Sequence, residues 1–252
     1  MPPSLRYVFV ATIILVSHAR AVEEQKPELT EEWTPVPPII SAPANGVPSD
    51  AVVLFDGKNL DAWTPVKPGS PGWKVIDGAM VVEPKTGDMH TTAVFGDIQL
   101  HIEFKIPTGL KTTGQDRGNS GVFFMGLYEL QVLDSYENTT YVNGQAGSVY
   151  KQHPPLVNAS RPPGEWQTYD AVFIAPRFAA DGSVLKPAYL TVFHNGVLVQ
   201  CNVAIRGFTR YRGYPEYKAH AAKLPLELQE HNHRVAFRNI WVREIKLPEE
   251  GK

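Results

Sequence analysis

The chain has one cysteine, Cys201, in 252 residues. No internal disulfide framework can form, so stability must come from a packed core. Its formal charge is only −2. A nucleic-acid or anionic-membrane partner would call for a basic surface, and both are excluded as expectations. No apolar run is long enough to span a bilayer as a helix, which excludes integral membrane association. The longest, Tyr7 to Val16, follows Arg6 and precedes Ala19-Arg20-Ala21. A basic start, a short apolar stretch and a small-x-small site make a secretory signal, residues 1–21, cleaved after Ala21. The expected location is periplasmic or extracellular. Familiar reactive motifs are missing too. There is no His-Glu-x-x-His, no zinc-type cysteine spacing, no Gly-rich phosphate loop and no Gly-x-Ser-x-Gly. The sequence demands no cofactor. Its Asp, Glu and His residues leave a divalent metal open, without a ligand spacing to require one.

Long helical periodicity is absent as well, and strand patterns take its place. Residues 22–50 carry Pro35, Pro37, Pro38, Pro43 and Pro48 and read as a proline-rich linker or arm. The folded domain is expected over residues 51–247. Trp73–Ile76, Asp77-Gly78 and Ala79–Val82 form one predicted hairpin. Tyr189–Phe193, Asn195-Gly196 and Val197–Val199 form another. Both turn pairs supply the positive φ of a type I′ turn. Residues 98–106 alternate cleanly, with Ile98, Leu100, Ile102, Phe104 and Ile106 on one face and His101 and Glu103 on the other. Residues 235–245 form a last strand whose apolar phase slips near Arg238-Asn239, which predicts a β-bulge. Many short strands with such turns indicate an all-β sandwich or jelly roll. Residues 135–165 and 203–223 show no clear pattern. Loops of that length are usually functional or carry small helices.

The polar residues that interrupt these strands are the candidate site. Asn119 to Asp134 reads as two strands joined at Gly126. Glu129 and Gln131 share one strand face, and Leu130 and Val132 take the other. A carboxylate beside an amide makes a platform for hydroxyls; an ordinary solvated sheet face would look the same. Gln229 and His231 share a face by the same rule, with Arg238 beside the bulge. Glu103 lies on the polar face of the cleanest strand. Convergence of Glu103, Glu129, Gln131, Gln229 and His231 on one concave face would make a sugar-sized site.

These segments carry a resemblance. Leu54-Phe55-Asp56-Gly57-Lys58-Asn59-Leu60-Asp61-Ala62-Trp63 opens it, followed by Gly72-Trp73-Lys74-Val75, Glu103-Phe104-Lys105 and the Asn119–Tyr136 block. Gly147-Ser148-Val149-Tyr150, Pro163-Gly164-Glu165-Trp166, Leu228-Gln229-Glu230-His231 and Val235–Arg243 complete it. Over about residues 51–245 the chain resembles the 3-keto-disaccharide hydrolase domain family. One departure is Asn232, where the family usually has Gly after the His; Asn tolerates left-handed backbone.

The resemblance implies a concanavalin A-like lectin/glucanase jelly-roll sandwich. It also implies cleavage of glycosides oxidised at carbon 3, and a sugar 3-dehydrogenase as working partner. A ketone at C3 acidifies the C2 hydrogen. A base removes it, the C1 substituent leaves, and water can add to the product. Such a route needs a base near the operating pH and a donor at the enolate oxygen. Glu129, Glu103 or His231 is expected as base or acid, with Glu129 the first choice as base. Arg117, Asn119, Gln131 and Gln229 would bind hydroxyls or the keto oxygen, and Tyr150, Trp166 and Arg238 would shape the pocket. Two other functions fit the same fold. One is a conventional sandwich glucanase, since Glu129 to Asp134 loosely follows Glu-x-Asp-x-x-Glu. The other is a non-catalytic, lectin-like sugar-binding module.

Overall fold

The structure, a computed structural model, describes residues 26–44 and 46–247. The expected signal sequence and its cleavage point lie outside them. The chain divides after Ile39 into two compact units. Of the first, the described part holds one exposed 3-10 turn, Pro27–Thr30. Among the described residues, no helix is long and apolar enough to cross a membrane.

The second unit is built from strands. In chain order these are β1 (Val52–Phe55), β2 (Trp63–Pro65), β3 (Lys74–Ile76), β4 (Ala79–Val81) and β5 (Met89–Phe95). Next come β6 (Ile98–Lys105), β7 (Ser120–Phe124), β8 (Tyr128–Val132), β9 (Trp166–Ile174) and β10 (Arg177–Phe178). The last are β11 (Val184–Lys186), β12 (Tyr189–His194), β13 (Val197–Ala204), β14 (Leu224–Leu228) and β15 (Ala236–Glu244). An eight-stranded sheet runs β13-β12-β9-β6-β15-β4-β3, with β1 also paired to β15. A five-stranded sheet runs β2-β5-β14-β7-β8, and β10 and β11 form a small ribbon. The pairing is antiparallel throughout. This is a jelly-roll sandwich, the class the turn and strand pattern implies.

The strand period of two decides what goes between the sheets. On β6, Ile98, Leu100, Ile102 and Phe104 are buried, while Gln99, His101, Glu103 and Lys105 stay partly exposed. On β8, Tyr128, Leu130 and Val132 are fully buried. The sheets meet through aromatic rings. Phe124 stacks on Phe173 at 4.7 Å between centroids, and Tyr128 lies 5.7 Å from the same ring. Burying side chains of this size stabilises by about 1.5–3 kcal/mol each.

The turns follow their residues. Asp77 and Gly78 both have positive φ, 50° and 73°, as do Asn195 and Gly196, 52° and 79°. The β7–β8 hairpin turns the same way at Met125 and Gly126, with φ of 57° and 65°. Asn232 sits at φ 62°, so Asn does keep the left-handed turn. In β15 the register slips between Arg238 and Trp241, with Asn239 at φ 47°: the expected bulge. Of the two patternless stretches, the first contains a 3-10 turn at Val142–Gly144 and the second closes on itself through Phe208 N–H to Glu216 O at 3.0 Å. Both loops reach β8.

Candidate active site

The outer face of the five-stranded sheet carries an unusual load of polar side chains. Because Tyr128, Leu130 and Val132 point into the core, Glu129 and Gln131 point out. Because Leu226 and Leu228 point in, Glu227 and Gln229 point out. The register then lines them up. Glu129 stands opposite Phe123, Phe123 opposite Glu227, and Glu227 opposite His90. One step along, Gln131 stands opposite Gly121, whose carbonyl accepts Gln229 N–H at 3.0 Å. Gly121 keeps this face open. A methyl there would sit 2.9 Å from Glu129 Oε1 and 2.8 Å from a Phe123 ring carbon.

The two long loops wall the face into a cleft of about 280 Å³. Tyr150 N–H donates to Glu129 O at 3.2 Å, and Glu129 N–H donates to Thr209 Oγ1 at 2.9 Å. The sheet side of the cleft is Asn119, Phe123, Glu129 and Gln131; Tyr150, Thr209, Tyr211, Gln229 and His231 close it. Gln131 is fully buried, and its Nε2 donates to Gln115 Oε1 at 3.0 Å and Gly144 O at 3.3 Å. Its Oε1 has no partner among the described residues. Tyr150 and Tyr141 hydroxyls lie 2.7 Å apart, and burial holds both phenols protonated above their usual range.

The electrostatics single out three carboxyls. Glu129 is 4% exposed, and its carboxyl makes no hydrogen bond among the described residues. Burial, and then the Asp88 charge, push its pKa up to about 8. Burial raises Glu227 to about 7, reinforced by the charge of Asp88 and a hydrogen bond with it. Asp88 is raised as well, chiefly by burial, although it accepts Glu230 N–H at 2.6 Å. Among the described residues none of the three is in a salt bridge, and His231 is the one cationic side chain that lowers Asp88. Among the described residues, no three of His, Cys, Asp and Glu are grouped to hold a metal ion.

The structure thus brings together Glu129, Asn119, Gln131, Tyr150, Gln229 and His231. It separates three others from them. Glu103, Arg238 and Trp166 lie on the outer face of the eight-stranded sheet, across the core. The reason is parity: Ile102 and Phe104 point inward on β6, so Glu103 points away from both core and cleft. There Arg238 Nε meets Glu103 Oε2 at 2.7 Å, and its guanidinium lies 4.0 Å over the Trp166 ring. Arg117 is also outside the cleft walls, paired at 2.8 Å with the buried Asp134. Asp134 therefore offers no second acid beside Glu129, so the Glu129–Asp134 pair expected for a conventional glucanase does not form. Glu227, Asp88, Thr209 and Tyr211 were not anticipated. The parity that joins Gln229 to His231 extends to Glu227; Asp88 needs the β5–β14 register, and the loop residues carry no pattern.

Residues 50–243 match the profile of the 3-keto-alpha-glucoside-1,2-lyase-like domain. The chain belongs to this family. Family membership makes it a carbohydrate-acting protein. No curated protein matches the chain. Among solved structures, a proposed glycosyl hydrolase from Parabacteroides distasonis ATCC 8503 is 47% identical. It aligns with a TM-score of 0.83 over 87% of this chain and 97% of its own. A second proposed glycosyl hydrolase from the same organism is 20% identical, with a TM-score of 0.56 over 78% and 94% of the two chains. That likeness shows the shared fold.

Proposed function

We propose that this member of the 3-keto-alpha-glucoside-1,2-lyase-like family cleaves 3-keto-glycosides by elimination across C1 and C2. The observation that carries the reading is Glu129: a buried carboxyl without a hydrogen-bond partner among the described residues, opening on a cleft lined by amides. Burial makes its ionised form a stronger base than an exposed glutamate. It takes the C2 proton, which the C3 ketone acidifies. The electron pair forms the C1–C2 double bond and the C1 substituent leaves. Gln131, Gln229 and Asn119 position hydroxyls, the protonated Tyr150 is a donor for the developing enolate, and the Phe123 ring is the floor. His231, more exposed at the cleft mouth, is the alternative proton carrier.

The protein is proposed to act outside the cytoplasm, its signal sequence removed, on substrate supplied by a sugar 3-dehydrogenase. Incubation with 3-keto-trehalose, 3-keto-sucrose and their unoxidised parents, read by mass spectrometry, tests the reading. Only the keto sugars should be consumed. Cleavage of the parents would favour a glucanase, and saturable binding without turnover a lectin-like module.

A further inference from the structure

Elimination leaves one chemical demand unmet by Glu129. An alkoxide is a poor leaving group, so the oxygen departing from C1 needs a proton as its bond breaks. Glu129 cannot supply it while taking the C2 hydrogen. A second protic group must stand on the same face, across the sugar.

The sheet places one there. Glu227 lies in the same cross-strand row as Glu129, with only Phe123 between them. Adjacent strands are about 4.8 Å apart, so the two backbones stand about 10 Å apart with the ring as floor between. A pyranose on that floor would have one carboxyl on each flank. Glu227 is half-buried and stands just outside the lining of the cleft, two residues from Gln229 and opposite Phe123, which both line it. It does not stand alone: Asp88 lies close enough to raise the Glu227 carboxyl by its charge and by hydrogen bonding. Glu230 N–H fixes Asp88 from the other side at 2.6 Å. His90 stands opposite Glu227 on β5, and Glu230 and His231 border Asp88. Glu129 itself, nine-tenths buried and with its carboxyl unpartnered among the described residues, marks the ligand side of this cluster.

We infer that Glu227, bordering the cleft across the Phe123 floor from Glu129, is the acid that protonates the leaving oxygen, and that Asp88 is the positioning residue beside it. The inference rests on the proposed elimination. The balance closes: the C2–H bond breaks to Glu129, the C1–C2 double bond forms, C1–O breaks, and Glu227 protonates the departing oxygen. The products are the unsaturated keto sugar and the free alcohol; solvent resets both carboxyls.

Leaving-group dependence tests it. The substrates are 3-keto-trehalose, whose leaving alcohol needs a proton, and 4-nitrophenyl 3-keto-glucoside, whose phenolate does not. Glu227→Gln should lower kcat on 3-keto-trehalose at least about a hundredfold, and on the nitrophenyl substrate by less than about threefold. Glu129→Gln should lower both. Equal effects of Glu227→Gln on the two substrates, or none on either, would overturn the assignment while leaving the proposed function standing. No turnover of either substrate by the wild-type protein would overturn both. Asp88→Asn adds a readout that a merely structural role would not move. Removing the Asp88 charge lets Glu227 ionise at lower pH, so the alkaline limb on 3-keto-trehalose should shift downward. The nitrophenyl substrate should show no such limb. An unshifted limb overturns the role of Asp88.

Discussion

The two outer faces of this sandwich carry similar residues in opposite states. On the eight-stranded sheet, Glu103 is held by Arg238 and by Asn239 Nδ2 at 3.0 Å, and His101 by Asp170 at 2.6 Å. His101 also stacks on Trp241, and Arg238 covers Trp166. Each of these charges has a counter-charge or an amide, and Lys105 lies over the Trp166 ring. On the five-stranded sheet, Glu129, Glu227 and Asp88 share one side without a salt bridge among the described residues, and burial raises all three. The paired face holds the bulge in shape. The unpaired face stores basicity, at a cost in stability that a purely structural surface would not carry.

The largest test of that contrast is turnover. Glu129→Gln keeps shape and hydrogen-bonding capacity but removes the base. It should lower kcat on a 3-keto-glycoside about 10²–10⁴-fold with ground-state binding nearly unchanged. Wild-type-like deuterium exchange at C2 in this variant would move the base to His231. The core between the faces gives the next largest effect. Phe104→Ala should cost about 3–5 kcal/mol in a denaturant melt. A loss below about 1 kcal/mol would mean that the two sides of β6 are reversed.

A pH series sharpens the comparison further. The folded pKa of Glu129 is raised to about 8 from an ordinary value of 4.5. Its contribution to stability is thus full below the unfolded pKa and is lost as pH rises through the folded one. Glu129→Gln escapes that loss. Between pH 4 and pH 9 the variant should gain about 3–5 kcal/mol on the wild type, read by melts at each pH. A constant gap would mean that the carboxyl is not buried. The smallest effect is expected on the paired face. Glu103→Gln should cost about 1–3 kcal/mol in stability and leave kcat within about twofold. A hundredfold loss of turnover would break the comparison outright.

Much of the architecture was legible in the chain. Alternation assigned the inward face of β6 and β8, and Asp77-Gly78 and Asn195-Gly196 announced their turns through the φ values those residues accept. The slip at Arg238-Asn239 announced the bulge. Period-two parity also paired Glu129 with Gln131 and Gln229 with His231, since both are local properties of one strand. What parity cannot say is which sheet a strand joins. Glu103 stayed a candidate behind Glu129 and His231 until β6 fell in one sheet and β8 in the other, with the core between. The partnership of Glu227 with Asp88, and the closing of the cleft by Thr209 and Tyr211, likewise depend on contacts between residues far apart in the chain. Strand order and register are set by the packing of the whole core, so local sequence determined which side chains turn outward, and only the tertiary structure decided which of them meet.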